Sequence, residues 1–451
     1  MEEVVVVGAG LAGSEAAWQL AEAGVRVRLY EMRPRVSTPA HATDRCAELV
    51  CSNSLGSRLP DRAAGVLMEE LRALGSRLLQ LAEAHAVPAG RALAVDRDAF
   101  AGAVTAALES HPNVALVREE VRRVPDAPAV VASGPLTSDA LAEDLQRVTG
   151  REHLHFFDAL SPVVEGESLD PAVVFRASRW DDGAGDYLNV PLDRDEYEGF
   201  LDRLLAADRH APRDFERLDP RADRFFERCL PIEVLAARGR DALRFGPMRP
   251  VGLRDPRTGR RPWAVVQLRR EDAEGRLWNL VGFQTHLTHG AQVELFRSLP
   301  GMAEARFVRL GSIHRNTFLD SPRLLTRCLE FRDRPGLFFA GQITGMEGYL
   351  GNVASGLLAA RGLLYRLAGE EPAPLPPTTL LGALARHVAE APSTSFQPMK
   401  AEFGLLPHLE ERVPKSERGA AYAARSRRHL REFLASRPMP PPVPEADRSR
   451  A

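Results

Sequence analysis

The chain opens on a run of four β-branched residues, Val4–Val7, the pattern of a strand buried on both faces. Gly8-Ala9-Gly10-Leu11-Ala12-Gly13 follows at once, then Ser14–Ala23, rich in helix formers and closed by Gly24. Val25–Tyr30 reads as a second strand ending at Glu31, which makes a β-turn-α-β unit. Leucines at 67, 71, 74, 78 and 81 predict one helix over Ala64–Ala86 with a buried stripe. Asp98–Leu108 is a further predicted helix, and Val114–Val117 and Ala129–Val131 are short strands, the second running into the turn Ala132-Ser133-Gly134-Pro135.

From about residue 151 to 290 the pattern changes. Short β runs at Trp263–Leu268 and Leu277–Val281 mix with a helix near Glu196–Leu205. The apolar strand Leu337–Ala340 then leads into Gly341-Gln342-Ile343-Thr344-Gly345 and a helix at Asn352–Leu367. Pro372–Pro377 reads as a linker, 378–391 and 419–435 as helices. The expected architecture is α/β: a Rossmann-like nucleotide-binding domain over 1–185 and 290–437, an inserted smaller α+β domain at 186–289, and a disordered tail at 438–451.

Composition narrows the function. Hydrophobic residues make 44% and charged residues 27% of 451, which excludes wholesale disorder, and a net charge of −2 excludes a protein basic all over. Almost every basic residue is arginine, with lysine only at Lys400 and Lys415. Four cysteines without a CxxC pair do not make a disulfide scaffold or zinc ribbon, and suit a reducing cytoplasm. The N-terminus lacks the basic and apolar regions of a signal peptide, and no apolar run approaches the ~18 residues of a membrane span, so a cytoplasmic protein without membrane contact is expected.

The glycine loop has a definite physical task. Gly8 permits a tight turn, Gly10 admits a pyrophosphate to the backbone, and Gly13 lets the helix pack on the strand. Glu31, at the end of the second strand, stands where an acid accepts ribose hydroxyls. The loop alone does not separate FAD from NAD. The late strand–turn–helix with Gly341 and Gln342 suits a two-part FAD site and favours FAD. Cys51 lies at an apolar-to-polar turn, and Cys229 sits beside Arg228 and between acids; both are candidate reactive thiols, whereas Cys46 and Cys328 read as inert. His286 with His289, and His153 with His155, lack further ligands nearby, so no metal is expected. Arginines cluster at 254, 257, 260 and 261, at 269 and 270, and at 425, 427, 428 and 431, where they could grip RNA phosphates or form a solvated face.

Several segments fit one family together: the glycine loop, Glu31-Met32-Arg33-Pro34, Thr38-Pro39-Ala40-His41, Ala47–Gly56, Ala132–Ser138, Phe226–Ala236, Phe245–Leu253, Ala264–Asp272, Val281–Thr285, His314-Arg315-Asn316 and Phe338–Gly348. Over residues 4–365 the chain resembles TrmFO, the folate- and FAD-dependent tRNA (uracil-5-)-methyltransferases. The resemblance implies a GidA-like FAD fold and methylation of the T-loop uridine at tRNA position 54. It implies 5,10-methylenetetrahydrofolate as carbon donor and NAD(P)H as reductant of the flavin. Cys51 and Cys229 match the family's two functional thiols, one a nucleophile and one a proton-transfer partner, in an order the residues leave open. The residues Leu11 and Ala12 fall within the implied cofactor loop, as does Ala9. The chain departs from the family pattern at Ala42, Cys46, Arg228, Leu350-Gly351-Asn352 and Ala177–Asp186. Alternative readings are a GidA-type wobble-uridine modifier, a ribosomal RNA methylase, and a flavin-containing RNA-binding protein without turnover.

Overall fold

The structure, a computed structural model, describes residues 3–38, 40–150, 154–159, 161–180, 185–210, 230–311 and 313–438. Strand β1 (Val4–Val7) is central to a five-stranded parallel sheet of order 337–339, 129–131, 4–7, 27–30, 114–117. Its valines have neighbours on both sides, as the unbroken β-branched run predicts: Val4 and Val6 are fully buried. Helix α1 (Leu11–Glu22) returns the chain to strand β2 (Val27–Tyr30). The helix Tyr349–Leu367 packs on α1 with almost no side chain between them, because a Cβ on Gly356 would stand 2.1 Å from the Ala12 carbonyl oxygen. That helix starts three residues earlier than the pattern of small and apolar residues indicates, directly after Gly348 at φ 81°.

The helix expected over Ala64–Ala86 is two, Ala63–Ala73 and Arg77–Ala84. The stripe of leucines runs on across the break, which hides it. Gly75 turns left-handed at φ 79°, and Ser76 caps the second helix by accepting from the Leu79 amide at 3.3 Å. Buried Glu15 of α1 accepts from the Arg77 and Leu78 amides and the Ser76 hydroxyl, fixing the second helix by its N-terminus. A second buried carboxylate, Glu70, accepts from the Leu380 amide at 2.6 Å, the Leu381 amide at 2.8 Å and the Ser426 hydroxyl at 2.5 Å. It thereby ties the C-terminal helices Leu380–Glu390 and Arg418–Ser436 to the first core. The proline-rich stretch before them is docked rather than loose, with Leu375 buried.

The second sheet is antiparallel, six strands in the order 175–176, 187–192, 264–270, 277–280, 163–165, 307–309. Its strands reach beyond 186–289 on both sides, because Val163–Glu165 pairs with both Leu277–Leu280 and Phe307–Arg309. Its core likewise runs from Val164 to Leu295, Phe296 and Met302, residues expected in the nucleotide-binding half. The helix Arg194–Ala206 covers this core, opened by a capping box between Asp193 and Glu196. A two-stranded ribbon, 154–159 with 313–318, carries the chain out of the first domain and back. Among the described residues no helix is long and apolar enough to cross a membrane.

The contact between the two helices gives a test. Gly356→Ala should cost about 1–3 kcal/mol through overpacking, whereas Gly102→Ala, with nothing within 4 Å of its Cβ position, should be neutral or slightly stabilising. Denaturant unfolding of the two variants reads the difference.

Candidate active site

Two neighbouring chambers open at the C-terminal ends of the parallel strands, where open α/β sheets place ligands. The first, about 120 Å³, is lined by Gly8, Gly10, Glu31, Arg33 and the segment 132–138. The second, about 420 Å³, is lined by Cys51, Ser52, Gln342, Gly348, Tyr349 and Lys400, among others. Pro135 and Leu136 border both.

The glycines of the loop have separable roles. Gly8 is left-handed at φ 94°, and a Cβ there would lie 2.5 Å from the Ala132 carbonyl oxygen. A Cβ on Gly13 would lie 1.8 Å from the Gly8 carbonyl oxygen. Gly10 is different: nothing lies within 4 Å of its Cβ position, so its bare face looks into the first chamber. It is also the N-cap of α1, which has no side-chain cap, leaving the first-turn amides for a ligand. This arrangement fits the pyrophosphate of a dinucleotide. Ala9, Leu11, Ala12 and Gly13 shape the loop without lining either chamber.

Glu31 is buried at the chamber wall. One oxygen accepts from the Ala9 amide at 3.1 Å and the other from the Arg33 amide and Nε at 3.0 and 2.8 Å. Burial pushes its carboxyl up, but the hydrogen bonds and charge of Arg33 more than offset that and hold it below its ordinary range. Arg33 also pairs with Glu48 at 2.9 Å, so the acid stands in an ordered network.

Gly341, unlike its neighbour Gln342, lines neither chamber. It is left-handed at φ 86°, and its amide donates to Ser355 Oγ at 2.7 Å. Gln342 lines the chamber and donates to Glu347 Oε1 at 2.8 Å. The helix Tyr349–Leu367 begins at the chamber wall, again without a side-chain cap, so a second helix N-terminus meets the cleft.

Cys51 faces the second chamber, in a loop held from several directions. The Cys51 and Ser52 amides donate to the Tyr349 hydroxyl at 2.8 and 3.0 Å. Arg97 donates to the Leu49 carbonyl at 2.7 Å, and Arg309, from the second sheet, donates to the Val50 carbonyl at 3.2 Å. Next in the loop, fully buried Asn53 donates to the Val95 and Arg270 carbonyls and accepts from Arg269 Nε at 2.8 Å. Cys229 and Arg228 lie outside the described residues. Cys46 and Cys328 are buried, and burial pushes their thiols up to about 11 and about 12 respectively, so both stay protonated at neutral pH.

The arginine clusters divide. Arg269 is buried against Asn53 and belongs to the domain junction, contrary to a phosphate-gripping role. Arg270 lies over the Trp278 ring at 5.6 Å. Arg257 pairs with Asp255 at 2.6 Å, while exposed Arg260 and Arg261 form no ion pair among the described residues. Arg425 donates to the Pro407 and His408 carbonyls, and Arg428 and Arg431 are exposed. Sequence reasoning missed Tyr349, Arg97, Arg309 and the placement of Lys400. The loop partners of Tyr349, Arg97 and Arg309 lie up to 298 positions away, and no local pattern announces such a contact.

The family model described as "Glucose inhibited division protein A", GIDA, matches residues 3–371. A "Methylenetetrahydrofolate--tRNA-(uracil-5-)-methyltransferase TrmFO" of Thermosynechococcus vestitus is 53% identical over 442 residues, covering 98% of this chain and 96% of that protein. A protein of the same name from Anoxybacillus flavithermus is 51% identical, covering 96% of this chain and 99% of its own length. Among solved structures, Aquifex aeolicus GidA superposes with a TM-score of 0.66 at 16% identity, over 96% of this chain and 73% of that one, a likeness of fold.

The open face of Gly10 sets a prediction. Gly10→Val should change folding stability by no more than about 1 kcal/mol, yet lower FAD affinity at least about tenfold by filling the pyrophosphate's approach. Gly13→Ala should lose both stability and FAD. Fluorescence titration and thermal melts of the two variants distinguish these outcomes.

Proposed function

The chain belongs to the TrmFO family of methylenetetrahydrofolate–tRNA-(uracil-5-)-methyltransferases, within the wider GidA family, and from that premise we propose that it methylates C5 of the T-loop uridine at position 54 of tRNA. The carbon donor is 5,10-methylenetetrahydrofolate, and the reductant is FAD recharged by NADH or NADPH. The observation that carries this reading is that the two chambers are neighbours sharing Pro135 and Leu136, with a bare Gly10 face on one and Cys51 on the other. The Gly8–Gly13 loop and the α1 N-terminus would take the pyrophosphate, Glu31 the ribose, and Gln342 with the N-terminus of Tyr349–Leu367 the flavin end.

The reaction explains why a thiol belongs in the second chamber. C5 of uracil is a poor carbon nucleophile. Addition of a thiolate to C6 places electron density on C5 and O4 as an enolate, which attacks the one-carbon unit; the C5 proton must then be removed before the thiolate leaves. Methylenetetrahydrofolate delivers carbon at the formaldehyde level, and bound reduced FAD supplies the hydride that makes it a methyl group. Cys51 and Cys229 take the nucleophile and proton-transfer roles between them. The loop that carries Cys51 is braced from the second domain, by Arg309 at the Val50 carbonyl and Arg269 at Asn53.

Mass spectrometry of RNA from cells with and without this gene tests the function. Ribothymidine should disappear from tRNA when the gene is deleted; loss from ribosomal RNA alone, or of a wobble modification instead, would overturn the assignment. With purified protein, Cys51→Ala and Cys229→Ala should each lower methyl transfer at least about 100-fold, while Cys46→Ala leaves it within about twofold.

Recognition of tRNA should lean on uncommitted surface arginines, since the net charge is only −2. Replacing Arg260 and Arg261 together with alanine should weaken tRNA binding and reduce the slope of log affinity against log salt by about 1–2. A filter-binding salt series measures both.

A further inference from the structure

Among the described residues four large apolar side chains stand exposed, and two of them belong to one loop of the second domain or pack on it. Phe245, 79% exposed, opens the loop Phe245–Leu253, and Trp180, 69% exposed, pairs with its far end. The Trp180 amide donates to the Gly252 carbonyl at 3.3 Å. Its indole lies on the bare backbone of Gly252, where a Cβ would come within 2.9 Å of the ring. The indole is thus supported by backbone on one side while most of the side chain stays open to solvent. Trp180 also holds a left-handed backbone at φ 62°, which a bulky residue rarely adopts and which clusters at sites that hold ligands.

Arg179 fixes this arrangement. Its Nε donates to Gln267 Oε1 at 2.8 Å, its Nη1 to the Val251 carbonyl at 2.6 Å and its Nη2 to the Arg249 carbonyl at 2.6 Å. Those partners are all neutral, and the Arg249 side chain is exposed and without an ion pair among the described residues. Two uncompensated guanidinium groups therefore stand beside the open indole. Their place in the fold is definite. Gln267 and Arg269 are two apart on the strand Ala264–Arg270 and share a face, while Val266 and Leu268 point into the core on the other. From that shared face Arg269 reaches Asn53 of the Cys51 loop, and Tyr187, directly opposite Arg269, reaches Ala89. Arg179 is anchored on the side of the sheet that meets the first domain.

An exposed ring alone would suit any apolar partner, and guanidinium groups alone any anion. An open aromatic face beside unneutralised arginines suits a nucleotide, whose base stacks and whose phosphate pairs. We infer that Trp180 is a stacking platform for an unpaired base of the RNA substrate other than the reacting uridine, with Arg249 on the adjoining phosphate. Arg179 is the positioning residue for both. The inference rests on the functional reading in taking RNA as substrate, and it adds where on the second domain a splayed-out base is held.

The experiment is a binding titration of full-length, FAD-loaded protein with a T-arm hairpin RNA, followed by filter binding across a salt series and by tryptophan emission. Trp180→Ala should weaken binding about tenfold and remove most of the quenching of tryptophan emission by the RNA. Its slope of log affinity against log salt should stay that of wild type, because stacking releases no counterions. Trp180→Phe, which keeps an aromatic face, should bind within about threefold of wild type, whereas Trp180→Leu, apolar but without such a face, should fall as far as Trp180→Ala. Arg249→Gln should lower the salt slope by about 1. Wild-type affinity in Trp180→Ala or Trp180→Leu would overturn the inference while leaving the functional reading intact. So would a Trp180→Phe variant as weak as Trp180→Ala, or an unchanged salt slope in Arg249→Gln. A wild-type protein that ignores the hairpin would sink the functional reading and this inference with it. Thermal melts and FAD content report folding. If Trp180→Ala fails to fold, Trp180→Leu is read in its place; failure of both would make Trp180 a residue of the fold and also overturn the inference.

Discussion

The close approach of helix α1 to the helix Tyr349–Leu367 is the constraint on which the site depends. Ala12 is boxed in by positions that carry no side chain: Gly356 would drive a Cβ into its carbonyl oxygen, and a Cβ on Gly341 would come within 3.1 Å of its own Cβ. With both faces bare, two helix N-termini arrive at one cleft, one at each chamber. Their amides and dipoles favour anionic or electron-rich ligand groups at two separate places, which is what a molecule with a pyrophosphate at one end and an electron-accepting ring at the other requires.

The second constraint is that no single domain builds the thiol loop. Residues 49–53 are held by Arg97 and Tyr349 from the nucleotide-binding domain and by Arg269, Arg270 and Arg309 from the second sheet. Tyr187 adds a bond across the same junction, donating to the Ala89 carbonyl at 3.0 Å. The Cys51 loop is therefore a shared element, and its geometry reports the relative placement of the two sheets.

Legibility in the sequence followed the range of the interactions. The first βαβ unit, its glycine loop and Glu31 are fixed by residues a few positions apart, and they are present in the expected order, with the helix opening at Leu11 rather than Ser14 and the second strand at Val27 rather than Val25. Gly75 and Ser76 carried an equally local signal for a helix break, but an uninterrupted leucine stripe outweighed it. Membership of Val163–Glu165 and Phe307–Arg309 in one sheet depends on pairing across more than a hundred positions, which short apolar runs do not encode. The arginines were the least readable. Arg269 and Arg260 look alike as letters, yet one bonds a buried asparagine and the other faces solvent.

Glu70 has a consequence for the order in which the molecule is made. Its carboxylate, buried in the first core, waits for the amides of Leu380 and Leu381 and the hydroxyl of Ser426, which leave the ribosome hundreds of residues later. Lys400, Ala401 and Glu402, which wall the second chamber, lie on the same late segment. Domains that finish early in synthesis hold their shape while the rest emerges. Here the nucleotide-binding sheet also needs its last strand, Leu337–Phe339, and the chamber closes later still. A nascent chain halted after the second sheet would thus carry the Cys51 loop without its Tyr349 anchor and without a finished pocket around it, so the second chamber takes shape only once the late segment has emerged.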